Sequence, residues 1–174
     1  MKLRNFISDS VQLAGLRIIN AAAKSGGYHV NRGIPYGSEP RNQLDHYVLH
    51  TGDAEDKVKR PLVLFIYGGN WQSGHRGNYR FVADTLCSLG YDVVVPDYRL
   101  YPNVRFSGIL ADVRMAITWV MNSEEIDSRR PIYVMGHSAG AQLGSLLCLN
   151  PALLSDLPGA QKRIAAFIGL SGPY

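Results

Sequence analysis

Residues Val134 to Ala141 read V-M-G-H-S-A-G-A, and Gly136, Ser138 and Gly140 have the spacing G-x-S-x-G. A serine held there can attack an acyl carbon when a base takes its proton. The five-letter pattern means little alone; a buried strand before it and a helix after it give it weight. Such a serine sits on a sharp turn, so its neighbours must be small. Gly136, Ala139, Gly140 and Ala141 are. The turn lifts the hydroxyl out at the sheet edge and aims the first helical amides at the same place. The N–H of Ala139 is then available to an oxyanion.

A second stretch, Y-G-G-N-W from Tyr67 to Trp71, adds to this. Glycines after a strand end let backbone N–H groups face a negative oxygen. Acyl transfer needs at least two such donors, each lowering the barrier by about 3 kcal/mol. Gly68 and Gly69, with Ala139, are the candidate oxyanion donors. A phosphate cradle is disfavoured, because neither G-x-x-x-x-G-K-[ST] nor G-x-G-x-x-G is present.

The elements that must position these loops are legible from apolar patterning. Buried strands are predicted at Pro61–Tyr67, Tyr91–Val95, Pro131–Met135 and Ile164–Leu170, each a continuous apolar run. Helices are predicted at Tyr79–Leu89, Phe106–Asn122 and from the serine motif to Leu149. Two further strands, Tyr28–Ile34 and Gln43–His50, come first. The second alternates, with Leu44, His46, Val48 and His50 on one side, as in an edge strand. This β-α-β alternation predicts an α/β fold, a mainly parallel sheet with helices on both faces. Ligands bind such sheets at the carboxyl ends of the strands, where both glycine-rich loops fall. The chain divides into an N-terminal amphipathic helix, 1–25, and a domain over 26–174. Ile7, Val11, Ala14, Ile18 and Ala21 form the helix's apolar face, suited to packing on the domain or a partner, or to membrane contact.

These motifs in order resemble the α/β-hydrolase superfamily. Within it the chain is similar to carboxylesterases of the hormone-sensitive-lipase and bacterial feruloyl-esterase types. The matching residues are Gly33–Gly37, Leu44–Tyr47, Phe65–Trp71, Val93–Leu100, the stretch at Asp112, and Gly136–Ala141. The resemblance runs from about Tyr28 to Tyr174. It implies Ser138 as nucleophile, the Gly68–Gly69 region as oxyanion hole, and ester hydrolysis without a cofactor. It also implies that Arg99 and Asp112 tie a loop to the next helix, with Asp97 in the same scaffold. The family usually has His where this chain has Tyr67, a side chain that can also hold the loop by hydrogen bonding. Trp71 is a candidate pocket residue.

In this superfamily the triad acid and base follow the serine along the chain. Ala139 to Tyr174 contains no His, and Asp156 is its only acid. The earlier histidines are His29, His46, His50, His75 and His137. His75 alone lies in a loop suited to the site, and the elbow is expected to turn His137 away into packing. The expectation is therefore the N-terminal part of a longer serine carboxylesterase, incomplete at its C-terminus and lacking its own base. A non-catalytic domain that binds an acyl ligand or a partner, and an amidase or arylformamidase using the same nucleophile, are the alternatives.

Composition excludes several other classes. Hydrophobic residues are 46% and charged ones 18%, a globular balance. Net charge is +4, but the Lys and Arg are scattered. Their densest run, Lys57–Arg60, adjoins the acids of Asp53–Asp56 and reads as a solvated loop rather than a nucleic-acid patch. Cys87 and Cys148 make no C-x-x-C pair and read as small buried hydrophobes, so no zinc site is expected. The N-terminus lacks the uninterrupted apolar run of a signal peptide, which points to the cytoplasm.

Overall fold

The computed structural model describes residues 15, 18–20, 26–50 and 54–174. Six strands form one sheet: β1 (Tyr28–Pro35), β2 (Gln43–Leu49), β3 (Leu62–Ile66), β4 (Asp92–Pro96), β5 (Ile132–His137) and β6 (Ile164–Leu170). Their order is β1-β2-β4-β3-β5-β6. The β1–β2 and β2–β4 pairs are antiparallel. The β4–β3, β3–β5 and β5–β6 pairs are parallel. The helices are α1 (Ala54–Lys59), α2 (Arg80–Ser88), α3 (Phe106–Asn122), α4 (Ala139–Leu149) and α5 (Ala160–Arg163).

Every residue of β3 and of β4 is buried, as their apolar runs predict. Helices cover both faces, as two neighbours on β2 show. Tyr47 packs on Tyr28, whose hydroxyl donates to Asp84 of α2. His46, one residue earlier and so on the opposite face, meets Trp119 of α3 edge-on.

Two sequence expectations change. β2 is not an edge strand: it lies between β1 and β4 and is buried on both faces, because α2 and α3 sandwich it. Of the Lys57–Arg60 run, residues 57–59 are helical and Arg60 follows the helix. Residues 54–59 form α1, whose Ala, Glu and Lys have high helix propensity. β6, whose apolar run reads as an interior strand with one edge left unpaired, ends the described sheet, and Ile168 and Leu170 are substantially exposed there. The N-terminal helix over 1–25 lies mostly outside the described residues; of it, Gly15 and Ile18–Asn20 are helical. No helix among the described residues is long and apolar enough to cross a membrane.

Candidate active site

Because β3 and β5 are parallel neighbours paired Ile66 with Gly136, their following loops emerge side by side. Ser138 has φ 52° and ψ −118°, a conformation L-residues seldom adopt. Such strain costs about 1–3 kcal/mol and gathers at functional sites. Here the surroundings impose it. The Ser138 N–H donates to the Leu170 carbonyl of β6 at 2.8 Å, and its own carbonyl accepts from Ala141 at 2.9 Å. The turn is possible only because its flanks lack side chains. A Cβ on Gly136 would lie 2.6 Å from the Ala141 Cα, and one on Gly140 would run into the Ile66 carbonyl.

Gly68 abuts the serine directly: a Cβ there would lie 2.9 Å from the Ser138 Cβ. The two carbonyls of the loop are both turned into protein. That of Gly68 accepts from the Tyr79 hydroxyl at 3.1 Å. That of Gly69 accepts from the amides of Gln72 and Ser73, each at 2.9 Å. A trans peptide places each following N–H on the side opposite its carbonyl. The Gly69 and Asn70 amides therefore face away from those partners. Gly69, Asn70 and Trp71 all have positive φ, of 145°, 51° and 59°, so this is a second strained turn.

Tyr67 holds that turn in place. Its hydroxyl donates to Asp97 Oδ1 at 2.7 Å and accepts from Arg41 Nη2 at 3.0 Å. The ring stacks on Tyr98 and Tyr79, with centroids 4.7 and 5.3 Å away. Burial, then the nearby Asp97 charge, raises its pKa well above the ordinary tyrosine value, so the phenol keeps its proton. The Tyr98 hydroxyl donates to the Tyr67 carbonyl at 2.9 Å. Arg41 also donates to the Gly74 carbonyl at 2.9 Å.

Asp97 is the hub of this cluster. It accepts from the Arg76 amide at 2.7 Å and from its guanidinium, which also donates to Asp45 at 2.7 Å. His75 Nε2 lies 3.3 Å from Asp97, and its Nδ1 accepts from the Gly77 amide at 3.0 Å. His75 thus adjoins the Asp97 cluster and is not among the residues lining the pocket beside Ser138. Sequence reasoning missed Arg41 and Arg76; lone arginines carry no pattern that marks them.

The remaining candidates fall as follows. Arg99 forks onto Asp112, with Nη2 to Oδ1 at 2.7 Å and Nε to Oδ2 at 2.9 Å, which ties the loop after β4 to α3. Asp97 belongs to the separate Tyr67 cluster. His137 does not turn away: it lines the same pocket as Ser138, and its Nδ1 is buried without a partner among the described residues. A Cβ on Gly68 would lie 2.8 Å from the His137 carbonyl oxygen and 3.0 Å from His137 Nδ1, so this side chain also packs against the glycine turn. Trp71 packs edge-on against Phe106 and is not among the pocket residues. Asp156 pairs with Arg114 on the surface. Burial pushes Cys87 up to about 12 and Cys148 up to about 11, so neither is a thiolate nucleophile. No cluster of three metal-ligating side chains exists among the described residues.

A pocket of about 520 Å³ opens beside Ser138, lined by Gly68, Gly69, Phe65, Tyr79, Phe81, Val82 and Leu170 among others. That volume suits a small-molecule site, for which ~300–1,000 Å³ is usual.

The strand order, the strained serine between strand and helix, and the glycine loop beside it define an α/β-hydrolase fold. The esterase B structure from Lactobacillus rhamnosis agrees with that fold, with a TM-score of 0.72 at 24% identity, covering 96% of this chain and 55% of that one. The BD-FAE family model matches residues 49–173, and the chain belongs to that family. Among curated proteins it is 32% identical to a probable isoprenylcysteine alpha-carbonyl methylesterase, ICMEL2, of Arabidopsis thaliana, over 83% of this chain and 35% of that protein. It is also 32% identical to esterase LipC of Mycobacterium tuberculosis, over 84% of this chain and 38% of that protein. The chain thus spans little more than a third of the length of these curated relatives.

Proposed function

We propose that this chain carries the nucleophile and oxyanion-hole part of a serine carboxylesterase. The observation that carries the reading is the contact of two strained turns: Gly68 against Ser138 at the carboxyl ends of adjacent parallel strands. Esterase names among the relatives support it.

Ser138 Oγ would form a bond to the ester carbonyl carbon, and the carbonyl oxygen would become an oxyanion held by amides of the Gly68–Gly69 turn and of Ala139. Ala139 heads α4, so its N–H has no preceding helical carbonyl to bond. Collapse breaks the ester C–O bond, and the alcohol leaves with the proton that Ser138 gave up. Water then hydrolyses the acyl-enzyme and restores the serine. A general base carries that proton from Ser138 to the leaving oxygen. Nothing in these steps calls on a cofactor; the substrate is a small acyl ester.

A fluorophosphonate probe is expected to label Ser138 in the full-length protein and to leave Ser138→Ala unlabelled. Folded full-length protein that takes no label, or labels elsewhere, would overturn the reading.

A further inference from the structure

We infer that Gly15 and Ile19, on the N-terminal helical residues, form an outer wall of the pocket and set the size of the neutral apolar group it admits. This rests on the proposed nucleophile at Ser138. The described pocket lining contains no Asp, Glu, Lys or Arg, and the rings and aliphatic groups of Phe65, Tyr79, Phe81, Val82 and Leu170 face the serine's surroundings. A charged group entering there would lose water without gaining a counter-ion. A neutral apolar group gains burial instead.

Gly15 and Ile19 are both helical. Both line the pocket. Ile19 is 49% exposed, as expected of a side chain bordering an open cavity, whereas Ile18 points outward at 73%. A Cβ on Gly15 would meet nothing within 4 Å, so this position leaves room that a larger residue would take up.

The wall is anchored by Asn20. Its Nδ2 donates to the Gly77 carbonyl at 2.9 Å, and its Oδ1 accepts from the Phe81 amide at 2.9 Å. Phe81 is the second residue of α2, where an amide lacks a helical acceptor. Tyr79, at the N-cap position, provides no side-chain cap. Asn20 therefore caps α2 from another part of the chain. Because Phe81 also lines the pocket, the same two bonds set the spacing between the opposing walls.

The test compares kcat/KM of the full-length protein on p-nitrophenyl acetate, butyrate and octanoate. Ile19→Trp is expected to lower the octanoate-to-acetate ratio at least about tenfold. Ile19→Ala is expected to raise it, and Asn20→Ala to flatten the chain-length preference. Chain-length profiles of Ile19→Trp and Ile19→Ala that run parallel to the wild type would overturn the inference. If Ile19→Trp fails to fold, Ile19→Ala decides. Wild type that cleaves none of the esters and takes no phosphonate overturns the nucleophile reading instead. The wall is then judged in Ser138→Ala by displacement of bound Nile red with ethanol, butanol and octanol. Loss of octanol competition alone in Ile19→Trp supports it; unchanged competition overturns it.

Discussion

The Tyr67 hydroxyl donates to Asp97 at 2.7 Å from beneath the strained turn that faces Ser138. A phenol buried between two other tyrosine rings thus fixes a loop whose backbone does the proposed work. Tyr67→Phe removes this donor and a partner of Arg41. Stability should fall by about 1–3 kcal/mol, the usual consequence of an unsatisfied buried group. The full-length protein should lose about tenfold in kcat with little change in KM, since a displaced oxyanion donor acts in the transition state. Tyr67→His should keep more activity than Tyr67→Phe. Steady-state kinetics with a urea melt checks both.

Gly140→Ala should destabilise by about 3 kcal/mol or more, because α4 packs its backbone directly on β3. A Cβ there meets two consecutive carbonyls, of Ile66 and of Tyr67, and neither can swing away. Gly159→Ala, at an open position with φ 76°, should cost only the modest strain of a left-handed backbone. Equilibrium unfolding of the two variants gives the comparison.

Asp92 and Arg130 form a buried ion pair at the opposite end of the strands, with Nη1 to Oδ2 at 2.7 Å. The other carboxylate oxygen accepts the Leu49 amide at 2.9 Å. Asp92→Ala should cost about 3–5 kcal/mol, since it strands a buried guanidinium. Phosphonate labelling of the protein that remains folded should be unaffected. A melt and a labelling rate measured on one sample separate the two effects.

Stability should decline in mild acid through His46. Burial lowers its pKa from the ordinary 6.5, opposed by the Asp92 and Glu125 charges and aided by Arg130. The folded state therefore binds fewer protons than the unfolded one. The contribution is complete above about pH 6.5 and is lost as pH falls below it, with a slope of at most about 1.4 kcal/mol per pH unit for one proton. His46→Gln should remove that part of the slope. Denaturation midpoints from pH 5 to 8 measure it.

The serine turn and the glycine loop were legible because close backbone approach leaves only small residues possible, and small residues at fixed spacing are visible in a sequence. Strands β3 and β4 were legible because burial on both faces demands unbroken apolar runs. The place of β2 was not: Asp45 and His46 look solvent-facing until Arg76 and Trp119 arrive from distant segments. For the same reason the support beneath Tyr67 was invisible. Arg41, Arg76 and Asp97 converge only after folding, and nothing in their spacing announces it.

The amide of Ser138, bonded to the Leu170 carbonyl, has a consequence for measurement. That single proton is shielded only while β6 lies in register with β5. Its exchange with deuterium therefore times the opening of the sheet at the serine, on a clock independent of any substrate. Slow exchange there, beside faster exchange at the rim of the pocket, would mark the elbow as a rigid seat around which the walls breathe.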